Sequence, residues 1–240
     1  MTTFDFKDGN GSVPAHRHIN GGGWVADTAY VAETAFVGPK SRVYGNAVLL
    51  DNAGVGGKAQ LSGHAIVTGN AEVGGSAQLF GHARVSGNAS VTGRVTVGGY
   101  AKLSGNVRIS DGAEIGDKAV VSGNAMVGDN ALVDGNAEVS DYAKIGGHAM
   151  VYGNAIISGN AILSGNANVS GNATVTGNAK VSGGAKVSGD TVVGDDAWVG
   201  GNANISGDAK VLGNATVRDL TKIVSGLLVS GSSANLKSMI

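Results

Sequence analysis

The chain has 240 residues, with 42 Gly, 2 Pro, no Cys and a hydrophobic share of 42 %. The absence of Cys excludes disulfides, thiolate nucleophiles and Cys-ligated zinc. The 17 basic and 18 acidic residues form no block, so no nucleic-acid partner is expected.

That much Gly beside that much apolar residue argues for placed glycines rather than disorder. Residues 1–24 read as an N-terminal cap with a degenerate repeat. "MTTFDFKDGNG" has neither the basic region nor the apolar stretch of a signal peptide. Apolar runs such as "GLLV" at 226–229 are too short to span a bilayer. The expectation is a cytoplasmic protein with no membrane partner. Phe4, Phe6 and Trp24 are expected to cover the first coil. Ile19 to Trp24 form a passable six-residue unit, whereas Arg17 falls where the repeat wants a small inward residue.

From Val25 to Val217 every sixth residue is Val, Ile or Leu, without an insertion. Four residues after each comes Ala, except at Ser41, Val95, Val107, Thr191 and Thr221. The third place is mostly Gly or Asp and the fourth mostly Asn, so the unit is V-S-G-N-A-x. The small residue and the next aliphatic are two apart and share one side of a strand. Their polar neighbours face the other way. Gly-Asn makes the corner, and Asn is expected to take the positive φ that a type II-like turn requires. A helix is excluded, because a period of six with Gly and Asn in every unit opposes both helical spacing and propensity.

One such strand cannot bury itself, but stacked coils can. The pattern therefore predicts a β-solenoid. At 223–240 the expectation is a C-terminal cap and tail. Ile223 and Val229 keep the six-step, Leu227 closes the core, and Leu236, Met239 and Ile240 lie on the final edge or on a partner.

The repeat at 25–222 resembles the hexapeptide-repeat proteins, whose [Leu/Ile/Val]-Gly-x-x-Ala-x-like unit builds a three-sided, left-handed parallel β-helix. Bactofilin-like polymer-forming solenoids are a weaker match. The resemblance implies an all-β fold of about eleven coils of 18 residues. At ~4.8 Å per coil this is a prism roughly 50 Å long. It also implies side-by-side homo-oligomers, with a trimer favoured.

Placed on an 18-residue lattice, His64 and His82 stack at one corner, with Tyr100 and Lys118 continuing the line, and His148 sits at another. In the resembled acyltransferases a His acts as general base, so His64, His82 and His148 are the catalytic candidates under that reading, with acyl-CoA as cofactor. The bland reading is that they replace corner Asn and are inert. His16 and His18 in "PAHRH" are same-side neighbours if extended, which offers two ligands to a metal but no third. Asn52, Asn70, Asn88, Asn106 and Asn124 form a corner ladder. Thr174 and Thr176 make a single T-x-T rung, too little for an ice-binding face.

Outward apolar residues gather as Tyr44, Phe80, Leu132, Met150 and Tyr152 on one side, and as Val48, Leu50, Ile66, Val120, Ile156 and Val192 on another. They are the interface candidates, for self-association or for a protein partner. The main functional reading is a non-enzymatic scaffold without cofactor, presenting flat faces. The alternative is an acyl-CoA-dependent acyltransferase. Against the alternative, no loop leaves the repeat to wall a pocket.

Overall fold

The computed structural model describes residues 2–224 and 226–231. The expected tail residues Leu236, Met239 and Ile240 lie outside the described residues. The chain divides into two compact units, Met1–Asp117 and Lys118–Ile240. Among the described residues there is no helix. Together the units carry about 11 turns of β-solenoid.

In the first unit, three stacks of short parallel strands form the three sides. One runs from β3 (Trp24–Ala26) through Arg42–Val43 to Glu114–Ile115, another from Tyr30–Val31 to Lys102–Leu103, and the third from Phe36–Val37 to Arg108–Ile109. Every pair is 18 residues apart, as in Val43↔Leu61 and Val67↔Val85. The second unit repeats this arrangement, with stacks beginning at Val120–Val121, Met126–Val127 and Leu132–Val133.

Alternation explains why such short strands hold. Inward aliphatics such as Leu61, Val67 and Ile157 are fully buried, and so are the Ala residues two places before them. Each buried aliphatic contributes about 1.5–3 kcal/mol against the entropy of ordering its turn. The polar exceptions in the Ala place are satisfied locally. Thr191 is fully buried and its hydroxyl donates to the Ser188 carbonyl at 2.7 Å. Thr221 donates to Arg218 in the same way.

The corner differs from the sequence expectation. Positive φ falls on the third place, on Gly63 (+65°) or Asp51 (+57°), and on none of the Asn residues. In residues 62–65 the Ala65 N–H donates to the Ser62 carbonyl at 3.2 Å, closing a turn with positive φ at its first central residue only. The positive φ thus falls one residue before the place the sequence suggested. A third-place Asp tolerates the left-handed conformation and repays it locally: the Asp51 carboxylate accepts the Gly69 N–H of the next turn at 2.8 Å. Asn stands one place later and is freed for another task. Its side chains bond along the stack, Asn70 to Asn88 and Asn88 to Asn106, and in the second unit Asn136 to Asn154 and Asn154 to Asn172.

The N-terminal segment is a hairpin, β1 (Thr3–Asp5) and β2 (Ser12–Arg17). Its second strand runs antiparallel to β3, with Arg17 opposite Trp24. Phe6 is 1 % exposed and stacks on Tyr44 at 5.0 Å, while Phe4 stacks on Trp24 at 4.4 Å. These are outward positions, so the hairpin covers the outside of a strand face. Ile19 is 87 % exposed, so the expected unit at 19–24 does not form. Instead residues 18–23 turn back on themselves, and Gly23 and Asn20 exchange backbone bonds with Val37. At the other end Ile223 and Val229 are buried and Leu227 is half-buried.

Candidate functional site: the aromatic corner and the strand faces

The 18-residue register brings His64, His82 and Tyr100 onto one corner of the first unit. The imidazoles lie parallel, centroids 4.9 Å apart with 4° between planes, and Tyr100 continues the stack at 4.7 Å from His82. All three are exposed. Their backbones are fixed, since the His64 N–H donates to the Gly81 carbonyl and the His82 N–H to the Gly99 carbonyl, both at 2.7 Å. Among the described residues, neither ring has a hydrogen-bond partner to set its tautomer, the role a carboxylate plays for a general base. His148 is exposed at a corner of the second unit, and its backbone N–H bonds to Gly165.

His16 and His18 are not brought together. His16 Nδ1 lies 2.8 Å from an Asp27 carboxylate oxygen at the surface. His18 is buried, and its Nδ1 meets the Asn20 backbone. The chain turns after Arg17, which breaks the extended geometry that would align the two rings. Among the described residues no three His, Cys, Asp or Glu side chains gather as a metal site.

The apolar candidates divide. Tyr44 is half-buried beneath Phe6 and its hydroxyl donates to Gln60 at 3.2 Å, so the chain's own hairpin occupies it. Val48, Leu50 and Ile66 are half-buried. Val48 and Ile66 are paired neighbours, with Arg84 next in line. Phe80 is 42 % exposed and leans over the bare backbone at Gly98. In the second unit Leu132 pairs with Met150, and Tyr152 stands beside them with 39 % exposed. Val120, Ile156 and Val192 alternate with Glu138 and Thr174, which breaks that strip into single residues.

One cluster escaped the sequence reading. Trp198 donates its indole N–H to Ser182 at 2.9 Å, and the Arg218 guanidinium lies 3.7 Å from its ring centroid. A spacing of one turn plus two residues between Trp198 and Arg218 was the available signal.

In its repeat and its three-stack β-solenoid the chain is similar to the hexapeptide-repeat proteins. A family model described as the YdcK β-solenoid repeat matches at residues 59–75, 77–99, 143–159, 149–165 and 167–183. Similar solved structures include LpxA from Acinetobacter baumannii (14 % identity, 84 % of this chain and 71 % of that one, TM-score 0.39). Others are the UDP-N-acetylglucosamine O-acyltransferase of Moraxella catarrhalis (15 %, 79 % and 74 %, TM-score 0.36) and the Arabidopsis UDP-N-acetylglucosamine acyltransferase (17 %, 81 % and 71 %, TM-score 0.33). No curated protein matches the chain. Among the described residues, no helix is long and apolar enough to cross a membrane.

Proposed function

We propose that the chain is a non-enzymatic scaffold whose strand faces bind further copies of itself. One observation carries this reading: strands recur every six residues from Tyr30–Val31 to Thr216–Val217 without a loop leaving the repeat. A site that excludes water needs walls, and a bare repeat offers flat faces. The reading is supported in the second unit by Leu132, which pairs with Met150, and by exposed Tyr152 two residues further on. A trimer is the expected closed assembly.

The second reading is acyl-CoA-dependent acyl transfer, with His64, His82 or His148 as base. It rests on the hexapeptide-repeat resemblance and on the exposed stacked imidazoles of His64 and His82. One pair of measurements separates the two. Sedimentation should give a multiple of the chain mass, and Met150→Asp with Tyr152→Asp should reduce it to the monomer while the β-sheet circular dichroism is kept. Saturable acetyl-CoA binding, with acyl transfer abolished in the His64→Ala, His82→Ala or His148→Ala variant, would replace the scaffold reading with the transferase. A monomeric wild-type chain would remove the self-association.

A further inference from the structure

At the hairpin end of the first unit lies a hollow of about 450 Å³, within the size range of small-molecule sites. Its wall is aromatic, from Phe4 and Trp24, and its polar lining includes Lys40, Arg42, Lys58 and Gln60. Three cations and no carboxylate line it, in a chain of 17 basic and 18 acidic residues. The nearby Asp5 carboxylate is engaged by the Lys7 ammonium at 2.6 Å and also interacts with the Arg42 charge.

The cations are held in place by the fold. Lys40 and Lys58 are one turn apart on the same corner, between the register pairs Phe36↔Gly54 and Arg42↔Gln60. Adjacent turns put these two like charges about 4.8 Å apart at the backbone, where an anion between them would relieve their repulsion. Arg42 is half-buried, donates to the Phe6 carbonyl at 3.0 Å and lies 5.4 Å from the Phe4 ring centroid. Its remaining donors suit the oxygens of a phosphate. Gln60 accepts from Tyr44 through its carbonyl oxygen, which leaves its amide NH₂ as a further donor.

We propose that this hollow binds a small phosphate monoester, the phosphate held by Lys40, Lys58 and Arg42 and the organic body resting against the Phe4–Trp24 wall. Adenosine monophosphate, inorganic phosphate and adenosine serve as probes in calorimetric titration of the whole chain. The expected result is saturable binding of the monophosphate at one site per chain, no binding of adenosine, and at least about fivefold weakening between 50 and 300 mM salt, as screening of a charge-held ligand requires. The paired variant Lys40→Gln and Lys58→Gln changes only exposed side chains and should lose about tenfold or more in affinity at an unchanged melting temperature. Binding unaltered in that variant, or no saturable binding of either phosphate probe at millimolar concentration, would overturn the site. Inorganic phosphate binding as tightly as the monophosphate would overturn the role given to the aromatic wall.

Discussion

Gly63 shows what a single corner demands. Its φ is +65°, and a Cβ there would stand 2.9 Å from the Gly81 nitrogen one turn on. The left-handed conformation alone costs a non-Gly residue roughly 1–2 kcal/mol, and the close approach adds to it. Gly63→Ala is therefore expected to destabilise the first unit by at least that amount, read as a lowered urea midpoint at unchanged m-value. Thr191 makes the opposite case. Its hydroxyl is bonded to Ser188, yet Val95 and Val107 fill the same lattice place fully buried. Thr191→Val should leave stability within about 1 kcal/mol, because the transferred methyl offsets a neutral hydrogen bond; a larger loss in the urea midpoint would mean the hydroxyl anchors the turn. The sequence made Gly legible as a corner residue but assigned the positive φ to Asn. The two residues are adjacent in most units, and composition cannot say which of them bends the chain.

At the scale of elements, the strands were readable and the cap was not. Period six with a wide and a narrow inward residue allows one arrangement, and the strands of the repeat lie where the six-step puts them. The hairpin carries no period. Phe4 and Phe6 were legible as covering residues, but their target lay on the outside of β3 and Arg42–Val43, reached by an antiparallel turn that no spacing announces. Phe6→Ala should cost about 3–5 kcal/mol locally. Hydrogen exchange should then show Thr3–Asp5 and Ser12–Arg17 losing protection while the Gln78–Leu79 and Thr96–Val97 strands keep theirs; protection lost equally throughout the unit would show that the hairpin holds the solenoid itself. The 18-residue lattice places exposed corner residues correctly, which is why the His64–His82–Tyr100 stack is legible in the sequence. The basic hollow is not, for the same reason that Tyr44 reads as a free face residue: both depend on the hairpin.

For the molecule as a whole, fold legibility and functional silence have one origin. A repeat uses nearly every residue to satisfy its own neighbours, inward by aliphatic and Ala, at corners by Gly or Asp, and along them by Asn. Few side chains are left over to single out chemistry. Those that are left over, Met150 and Tyr152 on a face or Lys40 and Lys58 at a corner, are visible only when the register sets them side by side.

The same register decides which lengths of chain the protein can gain or lose. Within either unit the strands of the repeat pair with those 18 residues away, so duplicating or deleting a block of 54 nucleotides adds or removes one turn and leaves the neighbours' contacts intact. A change of six residues keeps all the aliphatics inside but rotates the downstream coils by one side, so the Asn70–Asn88–Asn106 line and the stacked rings would part. A change of twelve residues does the same by two sides, and a length that is not a multiple of six breaks the inward pattern. A gene of this kind can drift freely in the number of its turns while almost every other insertion or deletion is forbidden to it.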